Sequence, residues 1–172
     1  MATWANSDGL RVRFGTEQAA GAQVGKPSVN GAVEQIVCIL EASRMVIGGG
    51  LIGGEPNVYI PAGSWIKSAT FIVTEAFDSG TTATLDLGLG LVDGTYTGGD
   101  EDGIDVAIAE TAIDAATKAV LCDGAMVNST TAGITTVNLW PTYDVDTAVF
   151  TTGKGMLVIE YIPTTYAAQT PD

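Results

Sequence analysis

Several groups of residues in this chain have types and spacings that could do chemistry. Gly48-x-Gly50-x-x-Gly53 has the glycine spacing of a dinucleotide-binding turn. That chemistry needs a helix to start at the glycines, so that its first amides meet a pyrophosphate. The next residues, Glu55-Pro56-Asn57-Val58-Tyr59, read as a turn and then a strand, so a flexible loop is expected instead. Ser64-x-x-Lys67 has the spacing of a serine acyl-transferase nucleophile, in which one helical turn brings serine and lysine together. Here the segment reads as a strand, and residues three apart on a strand point to opposite faces. Asp100-Glu101-Asp102-Gly103-Ile104-Asp105 is the densest acidic run. Aligned on Gly103 as a calcium loop, it places Gly98 at the first ligand position and Ala109 at the bidentate one, which fails. A solvated loop leading into a helix is the expectation there, with an irregular, weak cation site as the alternative; no other metal and no cofactor are expected. Acids are plentiful, but nothing selects a pair for glycoside hydrolysis.

Histidine is absent, which removes the usual general base and both the Ser-His-Asp and Cys-His arrangements. Cys38 and Cys122 lie far apart in apolar settings and read as buried thiols, with a disulfide left open. Asn128-Ser129-Thr130 is an acceptor sequon. With no secretory leader at Met1–Asn6, it reads as a polar turn in a protein made in a cytoplasm. The longest aliphatic run, Ile36–Leu40, is too short to cross a bilayer. No enzyme is indicated.

The elements that would position these residues are mostly strands. Leu10-Arg11-Val12-Arg13-Phe14 alternates with period two, and an arm or long loop is expected over Gly15–Gly31. Val33–Glu41 is apolar on both faces, as a buried strand is. Val58–Pro61 is a short extended piece. Ser64–Glu75 places Ala69, Phe71 and Val73 on one face, and Asp78-Ser79-Gly80 is a turn. Thr82–Val92 sets Leu85, Leu87, Leu89 and Leu91 inward against Asp86, Gly88 and Gly90. Thr135–Val145 alternates again, and Met156–Ile162 is the last strand. Only Gly103–Ala116 looks helical, with Ile104, Ile108 and Ala112 at i+4 spacing and Asp102 as its N-cap. The 22 glycines and short strands point to an all-β antiparallel sandwich with one short inserted helix. Its expected division is an arm over 1–32, a sandwich over 33–163 and a tail over 164–172.

The net charge is −13, from seven Lys and Arg against twenty Asp and Glu. No cationic cluster offers a nucleic-acid site. Between Asp78 and Asp146 lie twelve acids and a single base, Lys118, whereas Arg11, Arg13, Lys26 and Arg44 fall earlier. The molecule is expected to be polarised, with an acidic sandwich and a less acidic arm.

Three stretches carry a family resemblance. They are Asn6–Gly15, the run Tyr59-Ile60-Pro61-Ala62-Gly63-Ser64-Trp65-Ile66-Lys67-Ser68-Ala69 continuing to Glu75–Asp78, and Gly153-Lys154-Gly155-Met156-Leu157-Val158-Ile159-Glu160-Tyr161-Ile162-Pro163. Together they resemble the capsid decoration (cement) proteins of tailed bacteriophages. The resemblance implies a jelly-roll-like β-sandwich, a trimer, and a place on the outer capsid surface at junctions between capsomers. The function it implies is a structural virion protein that bridges neighbouring subunits of the major capsid protein, without nucleic acid or membrane as partner. An alternative is a head-fibre or receptor-binding module in which Trp65, Trp140, Tyr96 and Tyr143 stack on glycan. The expected capsid or subunit contact is the N-terminal segment with Trp4, Leu10, Arg11, Arg13 and Phe14, whose amphipathic strand could add to a neighbouring sheet.

Overall fold

The computed structural model describes residues 2–5, 11–14, 33–52, 58–131 and 133–164. Strands form where apolar residues alternate: β6 (Thr84–Gly90) buries Leu85, Leu87 and Leu89 completely. β5 (Ser64–Asp78) buries Ala69, Phe71 and Val73 on one face. The remaining strands are β1 (Ala2–Ala5), β2 (Arg11–Phe14), β3 (Glu34–Glu41), β4 (Gly50–Leu51), β7 (Asp100–Ala109), β8 (Ala119–Cys122), β9 (Trp140–Asp146) and β10 (Thr152–Pro163).

β1 and β2 pair antiparallel in a sheet of their own. The other eight strands make two four-stranded sheets, in the orders β3-β10-β5-β8 and β4-β9-β6-β7. The pairs β3–β10, β4–β9, β5–β8 and β6–β7 are nested, as if one long hairpin had been rolled up. That is a jelly roll. Its core fills the space between the sheets. Phe71, Phe77 and Phe150 run through it in contact, with ring centroids 5.7 and 5.4 Å apart.

The structure corrects several expectations. Most of Gly103–Ala116 is not helical: Asp100–Ala109 is a strand, and the only α-helix among the described residues, α1, is Glu110–Ile113. Its N-cap is Ala109 rather than Asp102. Ile104 and Ile108 are both buried, and residues four apart share a face on a strand as well as on a helix. A bulge between them breaks that strict alternation, so that Asp105 rather than Ile104 is in register with Ile108. Two steps along β6 (Leu85 to Leu87) span three along β7 (Ile108 to Asp105), and Ala107 takes a positive φ of 53°. Inside that bulge the Asp86 carboxylate accepts the Ala107 N–H. Glu110 in turn ties α1 to the β5–β6 turn, accepting from Ser79 Oγ at 2.6 Å and Ala83 N at 3.2 Å.

The glycine loop also becomes structure, since Gly50 and Leu51 pair with Tyr143 and Thr142 of β9. Gly53 lies outside the described residues. Gly88 and Gly90 are buried rather than outward, because the chain entering β7 crosses over them; a Cβ on Gly88 would lie 2.1 Å from the Glu101 carbonyl oxygen. The strand expected from Thr135 begins only at Trp140. Before it, Thr135 locks to Ser64 and Leu139 bridges to Ile60.

Candidate functional site

The two outer faces of the sandwich differ in chemistry, and the strand registers show how. On the β3-β10-β5-β8 sheet, Ile39, Met156, Ile72 and Ala119 stand in one row across all four strands. Val37, Val158, Thr70 and Leu121 stand in the next. Val37 and Ile39 are each 48% exposed and Leu121 80%, while Met156, Val158, Thr70 and Ile72 are half-buried. An antiparallel sheet with a solvated outer face normally alternates to polar residues there. This one carries an apolar band.

Charged groups border the band at both ends, and they are already neutralised. At one end Lys154 Nζ lies 2.6 Å from Glu41 Oε1, and Arg44 lies 3.5 Å from Glu41 Oε2. The Lys154 hydrogen bond holds the Glu41 carboxyl below its ordinary range, with the charges of Lys154 and Arg44 adding to it. At the other end Glu160 accepts from Ser68 Oγ at 2.8 Å and Lys67 Nζ at 3.2 Å, which lowers its pKa likewise. Lys67 reaches this position because it is the bulged residue of β5: Ser68 faces Glu160 and Ile66 faces Tyr161, so Lys67 has no partner in register. Counting Glu75 beside Lys154, the border has three cations and three carboxylates.

The opposite face is acidic. Asp86 and Asp144 are direct cross-strand partners on β6 and β9, with Asp146 opposite Thr84. Burial raises the Asp86 pKa first, the Ala107 N–H opposes it, and Asp146, Asp102 and Asp144 push it up further. The acidic run of the sequence does not converge on one point. Asp100 and Asp102 hydrogen-bond to each other, whereas Asp105 is buried beside Cys122.

Beside β3 runs a groove. One cavity of about 320 Å³ is lined by Val37, Ile39, Ile52 and Val58 among others. A second, of about 460 Å³, is lined by Val37, Val58, Tyr59 and Pro61 among others. The shared walls, Val37 and Val58, make them neighbours.

Of the residues expected at a contact, Trp4 lies on β1 opposite Val12, and Arg11, Arg13 and Phe14 lie on β2 opposite Ala5, Thr3 and Ala2. Leu10 lies outside the described residues. The candidate stacking residues do not form one platform. Tyr143 is buried, its hydroxyl donating to Arg44 O at 3.0 Å and accepting from Val46 N at 3.2 Å. Trp65 is half-buried and donates Nε1–H to Ser129 O, and Trp140 packs against Tyr59 with centroids 5.2 Å apart. Ser64 is buried and Lys67 exposed on its pair with Glu160, so that motif does not assemble. Cys38 and Cys122 are buried free thiols at opposite edges of one sheet, with β10 and β5 between them. Three strand spacings, about 14 Å, separate their positions, too far for a disulfide.

Sequence reasoning missed the band, although its signal was present. Ile36–Leu40, Val120–Cys122 and Met156–Ile159 are each apolar at successive positions, hence on both faces. Val33–Glu41 reads as a buried strand; β3 is instead an edge strand with one face outside.

No protein-family model matches the chain, and no curated protein matches it in sequence. Solved structures do resemble it. A chain of the acidic stable capsid of Helicobacter pylori bacteriophage KHP30 superposes with a TM-score of 0.52 at 16% identity, covering 77% of this chain and 89% of that one. A chain of the capsid of Ralstonia phage GP4 gives 0.54 at 16%, covering 82% and 90%. At that identity the likeness concerns the fold alone.

Proposed function

We propose that this chain is a structural virion protein of a tailed bacteriophage that decorates the capsid, bridging and stabilising neighbouring major capsid protein subunits from the outer surface. The observation that carries the reading is the two-faced jelly roll: an apolar band with a neutral border on one sheet and an acidic face on the other. The first is a surface that gains by leaving water, and the second one that gains by staying in it. The fold likeness to phage capsid chains supports the setting. In this reading residues 33–163 are the docking body, 1–32 an arm and 164–172 a tail. The protein is made in the host cytoplasm and has no catalytic role.

Size limits the mode of attachment. Four strands by some six residues make a face of about 400 Å², which is below what a stable pairwise complex usually buries per partner. A single copy would therefore hold weakly, and a trimer engaging several sites at once would hold by avidity. The test is occupancy on shells assembled without this protein. Leu121→Asp and Val37→Asp change exposed side chains and should leave folding intact, while shell occupancy drops at least tenfold. Variants that fold and still saturate the shell would overturn the assignment of the face.

A further inference from the structure

We infer that the free edge of β3 is the acceptor for strand β2 of a second copy of this chain, so that copies join head to tail by strand addition. The inference deepens the oligomer in the reading above. If it fails, the docking of the apolar band on a shell is untouched.

Three observations lead to it. First, β3 is hydrogen-bonded on one side only, to β10, among the described residues. Natural edge strands are usually shortened, broken by proline or protected by lysine. β3 has eight residues, Glu34-Gln35-Ile36-Val37-Cys38-Ile39-Leu40-Glu41, with no proline and no cation. Second, the groove beside it has apolar walls in Ile52, Val58, Tyr59 and Pro61. A strand laid along β3 would find main-chain partners on one side and an apolar recess for alternate side chains, which is how sheet edges bind extended segments. Among the described residues β4 is only two residues long, Gly50 and Leu51, and pairs with β9 rather than with β3.

Third, the chain supplies a matching strand. β2 is paired with β1 on one side, and among the described residues the resulting two-stranded sheet is not joined to either sheet of the jelly roll. Its own β3 does not pair with it among those residues, which leaves the β3 of another copy as its acceptor. β2 carries Arg11 and Arg13 and no carboxylate; at one end of β3 Glu34 is exposed, whereas Glu41 at the other end is already paired with Lys154 and Arg44. The 19 residues between Phe14 and Glu34 reach at most about 65 Å when extended, more than the diameter of a domain this size. Donor and acceptor are different surfaces, so the contact is heterologous, and such a contact closes into a ring when its rotation allows. A three-membered ring pairs every β3 edge with a β2.

The test uses two full-length variants and their mixture. Val12→Pro removes a main-chain donor from β2, and Ile39→Lys charges the β3 edge at an exposed position. Light scattering should give the oligomer for the unmodified protein and a monomer for each variant at the same micromolar concentration, with circular dichroism unchanged. Mixed in equal amounts, the variants keep one good donor and one good acceptor, and should form a dimer that neither makes alone. Hydrogen exchange at β3 amides should slow at least tenfold on raising the concentration of the unmodified protein. A monomeric unmodified protein, a variant that keeps the full mass, or a mixture that stays monomeric would overturn the inference. So would β3 protection independent of concentration, which would mean that the arm closes on its own chain.

Discussion

Replacing Asp86 by Asn should stabilise the protein at neutral pH. Asp86 sits on the acidic outer face opposite Asp144, with Asp146 and Asp102 near enough to raise its pKa, and burial raises it more than any of them. A like-charged pair directly opposite on a sheet costs roughly 0.2–1 kcal/mol; Asp144 stands in that position and Asp146 and Asp102 add to it, so the relief should amount to about 1 kcal/mol after solvent screening. The substitution keeps an Oδ1 acceptor for the Ala107 N–H, so the β7 bulge is not disturbed. For a chain of this size the gain corresponds to a rise of about 2–4 °C in Tm. The folded-state pKa is raised, so the folded protein binds a proton more readily than the unfolded chain. The penalty from Asp86 should therefore shrink as pH falls from neutral through the folded pKa, and the advantage of Asn should vanish below the ordinary Asp range, where folded and unfolded chains are both protonated. Urea denaturation at about pH 7 and about pH 3, in about 20 mM and about 500 mM salt, reads all of this. The gain should be largest at pH 7 in low salt and shrink by half or more in high salt, where the Debye length falls to about 4 Å. An Asn variant less stable at about pH 7, or equally stabilised at about pH 3, below the ordinary Asp range, would refute the reasoning.

Gly155→Ala should cost about 2–3 kcal/mol, because the new Cβ would stand 2.4 Å from Cζ of the buried Phe71, itself packed on Phe77. A urea midpoint that barely moves would mean that this ring can shift freely. Both thiols should resist a water-soluble thiol reagent at pH 8 in the native state and react fully in denaturant. Burial pushes Cys38 up to about 11, while burial and Asp105 push Cys122 up to about 12. Because these raised values favour the neutral thiol in the fold, stability should fall as pH climbs above the ordinary thiol range. Rapid native labelling of either residue would contradict the burial.

Much of the sandwich was legible because its strands alternate cleanly. The leucines at 85, 87 and 89 could face only one way, and Phe71 and Val73 on β5 follow the same rule. What was not legible had a physical cause in each case. Ile104 and Ile108 are four apart, a spacing common to helix and strand, and only the pairing of Asp100–Ala109 with β6 decides between them. Gly50 pairs with β9 although its neighbours Gly48 and Gly49, both at positive φ, look like pure loop. The apolar band was hidden by an ambiguity of another kind. A strand apolar on both faces is equally the signature of a buried central strand and of a strand with one face at an interface. Only the sheet order, which puts β3 and β8 at the edges with no layer over them among the described residues, separates the two.

The charge distribution gives the proposed role a direction. A chain of −13 repels its own copies at low ionic strength, so any assembly must form where that charge is weakest. Of the cations in the jelly roll, Arg44, Lys67 and Lys154 border the apolar band, and Lys118 is paired with Asp114 beside α1. The acidic face has no such compensation around Asp86. An approaching surface therefore meets least resistance at the β3-β10-β5-β8 sheet, where burying the band yields the largest gain and the ion pairs are already made. Pairs at the border of an interface add little to affinity but set orientation and register. The same asymmetry would keep bound copies from stacking on one another, since each would present Asp86, Asp144 and Asp146 to the next arrival. Two unlike faces on one fold therefore favour a single layer of bound copies.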